Sequence, residues 1–145
     1  QFFFGGGGNF TNEEKDAISK TGLGNSIVYR PIHGDEDIVR LYKNATILMY
    51  PSLYEGFGLP IVEAFSCGLP CVTAKGSCLE EVGGDAAAYF DPMDPSEMAE
   101  VALTVMNDTI RCSEMIDKGF KRGATFTWEN TVLETHQLYQ QFLTN

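Results

Sequence analysis

The chain has 145 residues, of which 43% are hydrophobic and 12% are aromatic, and this length and composition predict a single globular domain. Twenty acidic residues against ten basic residues give a net charge of −10. This charge argues against a nucleic-acid or anionic-membrane partner, because both are bound through clustered basic residues.

The first half of the chain alternates strand and helix patterns. The apolar run Phe2 to Phe4 predicts a buried strand that ends in a turn of glycines, Gly5 to Gly8. A helix follows, with Thr11 as its cap and Glu14 three residues later. The segment SIVYRP indicates a short strand stopped by Pro31, and GDEDIVRLYKNA indicates a helix with acids in its first turn and bases in its last turn.

The second half continues the alternation. The segments TILMYPS, PCVTA and AAAYFD predict three more strands. A helix from Pro60 to Cys67, closed by Gly68, is expected between the first two of them. After the third strand we expect a helix from about Met98 to Met106, further helix, and a last helix from Trp128 to about Phe142 with Thr127 as its cap.

Apolar strands separated by helices indicate an α/β fold, with a mostly parallel sheet and helices on both faces. Such sheets bind ligands at the carboxyl ends of their strands, where loops lead into helices. Two glycine-rich loops follow predicted strands, at Gly5 to Asn9 and at Tyr54 to Pro60. The first matches G-x-G-x-x-G only in its first two glycines, so it is either a flexible turn or a backbone lining for part of a ligand.

The second loop, YEGFGLP, runs into a helix start that has no side-chain cap. Pro60 fits the first helical position and puts the cap near Leu59, where no Ser, Thr, Asp or Asn is available. The first N–H groups of the helix therefore need another partner. Gly56 and Gly58 leave the backbone open to an anion, and the helix dipole adds about half a positive charge there. The loop is predicted to hold a phosphate or diphosphate.

Two carboxylates flank this loop. Glu55 precedes it, and Glu63 lies about one turn inside the helix, so both can face one crevice. Carboxylates accept hydrogen bonds from vicinal hydroxyls, as acids do from ribose in dinucleotide folds. Alone, Glu55 can be a solvated loop acid and Glu63 an acid that favours the helix dipole. Together, around an uncapped glycine loop, they favour a ligand site.

The segment PSLYEGFGLPIVEAFSCGLPCVTA, with two glutamates separated by seven residues, closely resembles the nucleotide-sugar-binding signature of one enzyme family. This family is the retaining glycosyltransferases with two facing Rossmann-like domains, that is, the GT-B fold of the group 1, family 4 type. Downstream, SCLEEVGGDAAAYFDPMDPSEMAEVAL resembles the family's next helix start, strand and aspartate-proline turn, and GFKRGATFTWENTVLETHQLY resembles its closing helix. The resemblance implies a Rossmann-like donor-binding domain over residues 1–145.

The resemblance also implies roles for individual residues. Contacts with the donor sugar and diphosphate fall on Glu55, which is the catalytic candidate, and on the loop that follows it. The loop residues in question are Gly56, Phe57, Gly58 and Leu59. Ribose binding falls on Glu63. Packing against the nucleobase falls on Arg30 and Pro31, and the amides of Gly5 to Gly7 line the same crevice.

The implied reaction moves a hexose from a UDP- or GDP-linked sugar to a glycan, lipid-linked or other acceptor, with retention of configuration. It needs neither a metal nor a further cofactor, because backbone N–H groups stabilise the charge on the departing diphosphate. The acceptor is expected to bind an N-terminal domain, and the full-length protein can be peripheral to a membrane. A cytoplasmic location is expected, since the four cysteines lack the spacing of a zinc site and are interpreted as reduced.

The chain departs from the family at its front. Full-length members carry an acceptor domain and then a first strand and helix of the donor domain, whose loop gives an Arg and a Lys to the diphosphate. The chain begins at what would be the second strand, so we expect it to bind nucleotide weakly and not to turn over alone. Two alternatives stay open: a sugar-nucleotide epimerase of the same architecture, and a non-catalytic α/β binding module.

Overall fold

The computed structural model describes residues 1–5 and 8–143, and in this part of the chain five strands alternate with seven α-helices. In chain order the elements are β1 Phe2–Gly5, α1 Asn12–Thr21, β2 Ile27–Arg30, α2 Asp35–Asn44, β3 Leu48–Tyr50, α3 Leu59–Ser66, β4 Cys71–Ala74, α4 Cys78–Gly83, β5 Ala87–Phe90, α5 Pro95–Asn107, α6 Thr109–Gly123 and α7 Trp128–Leu143. Every strand pair is parallel, which confirms the predicted α/β class. None of the described helices combines the length and apolar character that a membrane span requires.

The chain divides into two compact units, Gln1–Arg40 and Leu41–Asn145, and α2 begins in the first and ends in the second. In the first unit β1 and β2 form a two-stranded sheet, with Phe2 opposite Ile27. The prediction of a strand at Phe2 to Phe4 is confirmed, but the prediction that it is buried is wrong. The three rings are 53%, 45% and 52% exposed, because a two-stranded sheet offers too few apolar neighbours to cover them.

Helix α1 starts as the sequence predicts, with a reciprocal cap. The Glu14 N–H donates to the Thr11 hydroxyl at 3.2 Å, and the Thr11 N–H donates to the Glu14 carboxylate at 2.7 Å. These bonds satisfy two of the N–H groups that a helix start leaves open. The Thr11 N–H, and then the Thr11 hydroxyl, also lower the pKa of Glu14, because both favour its charged carboxylate.

In the second unit, β4 lies between β3 and β5 and is buried along its whole length. The largest fully buried side chains around it come from α3, α4, β5 and α5: Phe65, Ile61, Leu79, Phe90 and Val105. A strand buried on both faces needs a continuous apolar run, which explains why PCVTA shows no alternation of polar and apolar residues. This core holds the carboxyl ends of β3 and β4 in place.

Helix bounds differ from the predicted ones where a cap was not recognised. Helix α5 begins at Pro95 rather than at Met98, because the Asp94 carboxylate accepts from the N–H groups of Ser96 at 2.9 Å and Glu97 at 3.1 Å. Proline is well suited to the first helical position that follows such a cap. Helix α7 begins at Trp128 and extends to Leu143, with the Thr127 hydroxyl accepting from the Asn130 N–H at 3.1 Å.

Candidate functional site

The candidate site lies in the second unit, in the loop that joins β3 to α3. Tyr50, the last residue of β3, pairs with Thr73 of the buried strand β4. The Thr73 hydroxyl, which is fully buried, donates to the Tyr50 carbonyl at 3.1 Å. This bond satisfies a buried polar group and fixes the backbone at the point where the loop leaves the sheet.

The start of α3 has no side-chain cap, as the sequence predicts. The helix begins at Leu59 rather than at Pro60, so Gly58 occupies the cap position and Pro60 the second helical position. Gly58 has a φ of 107°, in the left-handed region that glycine adopts without strain. A Cβ on Gly58 would lie 2.7 Å from Cδ2 of Leu79, so the fold of this turn requires glycine for two reasons.

The backbone N–H groups of this loop are open. In the part of the chain that the structure describes, the N–H groups of Gly56, Phe57, Gly58 and Leu59 donate no hydrogen bond. Gly56 and Leu59 are exposed, and nothing lies within 4 Å of a Cβ built on Gly56. Unpaired N–H groups together with the positive end of a helix dipole attract an anion.

Two carbonyl groups of the same loop accept hydrogen bonds from α4. Cys78, the first residue of α4, donates from its thiol to the Glu55 carbonyl at 3.1 Å and to the Phe57 carbonyl at 3.4 Å. The Phe57 ring packs edge-on against Phe126, with 5.5 Å between ring centroids. The side chain of Phe57 therefore anchors the loop, and its N–H is the group that remains for a ligand.

Glu55 is held at its carboxylate as well. The Tyr50 hydroxyl donates to Oε1 of Glu55 at 2.5 Å. This bond, and then the nearby Ser52 hydroxyl, lower the pKa of Glu55, so the side chain is a carboxylate at neutral pH. Burial and the bond to Glu55 raise the pKa of Tyr50 to about 12, so its hydroxyl keeps its proton.

Glu63 has a tyrosine partner of its own. The Tyr42 hydroxyl, from the last turn of α2, donates to Oε2 of Glu63 at 3.2 Å. Burial of the phenol, and then the nearby Glu63 carboxylate, raise the pKa of Tyr42. Glu63 itself is exposed on α3, so its carboxylate is accessible to a ligand while one oxygen is held.

The remaining predicted site residues lie in the other unit. Arg30 ends β2 and Pro31 follows it, and both are exposed. The Arg30 guanidinium lies 5.6 Å from the centroid of the Phe3 ring. A role for Arg30 and Pro31 with the nucleobase stays a prediction. Of the glycines predicted to line the crevice, Gly5 ends β1, whereas positions 6 and 7 lie outside the described residues.

The sequence did not identify Tyr50, Tyr42 or Cys78 as parts of the site. No motif marks them, because each acts through the fold, on an atom 5, 21 or 23 positions away along the chain. Within residues 1–5 and 8–143, no group of three or more His, Cys, Asp or Glu side chains could hold a metal ion.

The parallel strands, the uncapped helix start after β3 and the two oriented glutamates define a Rossmann-like domain with a glycine loop between two carboxylates. Residues 1–122 match the family described as glycosyl transferases group 1. The chain belongs to this family, and its fold is that of the C-terminal half of the GT-B architecture.

One relative in sequence is the O-antigen chain mannosyltransferase B of Escherichia coli, which is 40% identical over 106 residues, covering 73% of this chain and 28% of the relative. In structure, the sucrose-phosphate synthase of Thermosynechococcus elongatus gives a TM-score of 0.82 at 24% identity, over 98% of this chain and 38% of that protein. HepE of Anabaena, in complex with UDP and glucose, gives 0.75 at 24% identity, over 92% of this chain and 36% of HepE. The chain thus spans about a third of the length of these proteins.

Proposed function

We propose that the loop between β3 and α3 binds the diphosphate and the hexose of a UDP- or GDP-linked sugar. The protein that contains this chain then transfers the hexose, with retention of configuration, to a glycan, lipid-linked or other acceptor. The observation that carries this proposal is the uncapped start of α3, with four open N–H groups between two glutamates that tyrosines hold in place. Membership of the group 1 glycosyl transferases supports it.

The chemistry follows from charge. When the bond between the anomeric carbon and the diphosphate breaks, its electron pair leaves with the diphosphate, and negative charge grows on the phosphate oxygens. Fixed N–H groups and a helix N-terminus stabilise that charge without reorganising, which lowers the barrier to transfer. The unpaired amides of Gly56 and Leu59, which are exposed, are suited to this role. No metal is required in this proposal, because the backbone supplies the counter-charge.

The two glutamates orient the donor from opposite ends. Glu55, the proposed catalytic residue, accepts from hydroxyls of the hexose, and Glu63 accepts from the ribose hydroxyls. Arg30 and Pro31 are proposed to pack against the nucleobase. The acceptor is bound by a second domain, and the four free thiols support a reducing, cytoplasmic compartment.

Titration calorimetry on the intact protein tests the division between the glutamates. Glu63→Ala is expected to weaken binding of the bare nucleoside diphosphate, UDP or GDP, by about tenfold or more, because a hydrogen bond to a charged group contributes about 1.5–3 kcal/mol. Glu55→Ala is expected to change the affinity for the nucleoside diphosphate by less than about twofold. It is expected to lower the affinity for the nucleotide sugar about tenfold. Glu100→Ala, which removes an exposed glutamate from α5, is the matched control and should change neither affinity.

Equal affinity of the two glutamate variants for the nucleoside diphosphate would contradict this division. An assay of the intact protein with a nucleotide sugar and acceptor then separates transfer from epimerisation. Transfer consumes the donor only when an acceptor is present and releases the nucleoside diphosphate. Epimerisation changes the sugar while the acceptor stays unmodified.

A further inference from the structure

We propose that Tyr50 is a positioning residue for Glu55, and that its hydroxyl determines how strongly the site prefers a nucleotide sugar over the bare nucleoside diphosphate. This inference rests on the proposed function of the loop. Among the described residues the Tyr50 hydroxyl donates its hydrogen bond to the Glu55 carboxylate, so we expect its effect at that carboxylate. The carboxylate in turn faces the sugar.

Tyr50 is itself held rigidly. Its backbone pairs with β4 and accepts from the buried Thr73 hydroxyl, and its side chain is half-buried. A tyrosine on a fixed backbone has only two side-chain torsions to order, so it loses little conformational entropy when it holds a second group. The hydroxyl is thus a fixed donor at the edge of the sheet.

Glu55 is held at two points by different elements. Its carbonyl accepts from the Cys78 thiol of α4, and its Oε1 accepts from Tyr50 of β3. The 2.5 Å separation is typical of a hydroxyl that donates to a charged oxygen. A carboxylate has about four acceptor positions, so Glu55 keeps capacity for sugar hydroxyls after Tyr50 has donated to it.

The charge state of Glu55 depends on the same contact. The groups that act on this carboxylate are the hydroxyls of Tyr50 and Ser52, and the titratable groups near it are Tyr50 and Cys78. The Tyr50 bond holds the pKa of Glu55 below its ordinary value, so removing the hydroxyl moves that pKa upward. Binding that needs the ionised carboxylate is lost as the pH falls through the pKa. Removing the Tyr50 hydroxyl therefore raises the pH below which nucleotide-sugar binding is lost, which we call the acid limb of binding.

Tyr50→Phe removes one oxygen and keeps the ring in the fold. In the intact protein we expect this variant to lower the affinity for the nucleotide sugar about tenfold. The affinity for the nucleoside diphosphate should change by less than about twofold. The acid limb of nucleotide-sugar affinity should move to higher pH. Tyr42→Phe is the matched control, because it removes the same atom from the tyrosine that holds Glu63. Tyr42→Phe should lower the affinities for both ligands by the same factor. The pH at which the preference for the nucleotide sugar is lost in acid should stay unchanged.

A double-mutant cycle with Glu55→Ala, which removes the acceptor of the Tyr50 bond, separates positioning from a general packing effect. If Tyr50 acts through Glu55, then Tyr50→Phe costs no further affinity in the Glu55→Ala background. An unchanged ratio of the two affinities in Tyr50→Phe, or a full additional loss in the double variant, would overturn the assignment. Failure of the unaltered protein to bind any UDP- or GDP-linked sugar would instead overturn the proposed function, and this assignment with it.

Discussion

Gly58 is the residue on which the geometry of the site depends most directly. It caps α3 with a φ of 107°, and its missing Cβ leaves room for Leu79. Gly58→Ala is expected to lower the free energy of unfolding by about 2–4 kcal/mol. The left-handed conformation contributes about 1–2 kcal/mol of this and the clash with a fully buried leucine the rest. Urea unfolding monitored by circular dichroism measures the change.

Gly56→Ala is the matched control for this prediction. Gly56 lies two residues earlier in the same loop, its φ is not positive, and nothing lies within 4 Å of a Cβ built there. The free energy of unfolding should change by less than about 0.5 kcal/mol. Equal losses in the two variants would contradict the claim that the cap position alone demands glycine.

At this scale the sequence predicted the local chemistry and missed the tertiary contacts. Glu55, Glu63 and the uncapped glycine loop are readable from neighbouring residues, because capping and backbone freedom are local properties. Tyr50 and Tyr42 are not readable, because a tyrosine at the end of a strand or helix is as compatible with packing as with a hydrogen bond. Only the placement of β3 and α2 against α3 and its loop brings their hydroxyls to the carboxylates.

Among the elements, α3 and α6 pack closely at one glycine. A Cβ on Gly119 would lie 2.8 Å from Cδ1 of Phe65, and that ring is fully buried and cannot move aside. Gly119→Ala gains about 1 kcal/mol of helix propensity but inserts a methyl group into a filled core, which costs about 1–3 kcal/mol. We expect a net loss of up to about 2 kcal/mol in the free energy of unfolding, measured by urea titration.

Gly123 provides the control on the same helix. A Cβ at this position would lie 3.4 Å from Cβ of Phe65, which is ordinary van der Waals contact. Gly123→Ala should therefore leave the stability unchanged or raise it by up to about 1 kcal/mol through helix propensity. A stabilising Gly119→Ala would show that propensity outweighs packing between these two helices.

The order of elements was predictable because short apolar runs bounded by turn residues alternate with longer segments that carry helix caps. The best example is β4, a short apolar run in the centre of its sheet. Bounds were less predictable. The starts of α1 and α7 were correct because Thr11 and Thr127 are recognisable caps. The start of α5 was missed because Asp94-Pro95 was interpreted as a turn, although the same two residues form a cap and a first helical position.

Across the whole molecule, acidic groups outnumber basic groups two to one. The acidic groups have two opposite effects on stability, repulsion among themselves and stabilising contacts with other residues. Repulsion within a net charge of −10 favours a less compact chain at neutral pH and is relieved by acid. Against this, the pKa values of Glu14, Glu55 and Asp85 are lowered in the folded chain by Thr11, Tyr50 and Lys118 respectively. Protonating these three removes direct contacts of 2.5–3.1 Å.

The direct contacts should decide the outcome in acid. A carboxyl whose pKa is lower in the folded state binds more protons when unfolded, so its contribution is complete above its ordinary pKa and is lost as the pH falls through the folded value. Those ordinary values are 4.5 for glutamate and 3.8 for aspartate, which puts the loss below about pH 4.5. Repulsion between dispersed charges is screened beyond about 10 Å at moderate salt and is the weaker effect.

We therefore expect the urea midpoint of the protein to fall between about pH 5 and pH 3 at moderate ionic strength. Replacing the shifted acids, with Glu14→Gln and Asp85→Asn, should flatten this acid dependence, because a neutral amide carries no proton linkage. Glu100→Gln, at an exposed glutamate on α5, should leave the slope as it is. A midpoint that rises on acidification would show that relief of the net charge outweighs the three contacts, since only the repulsive contribution has that sign.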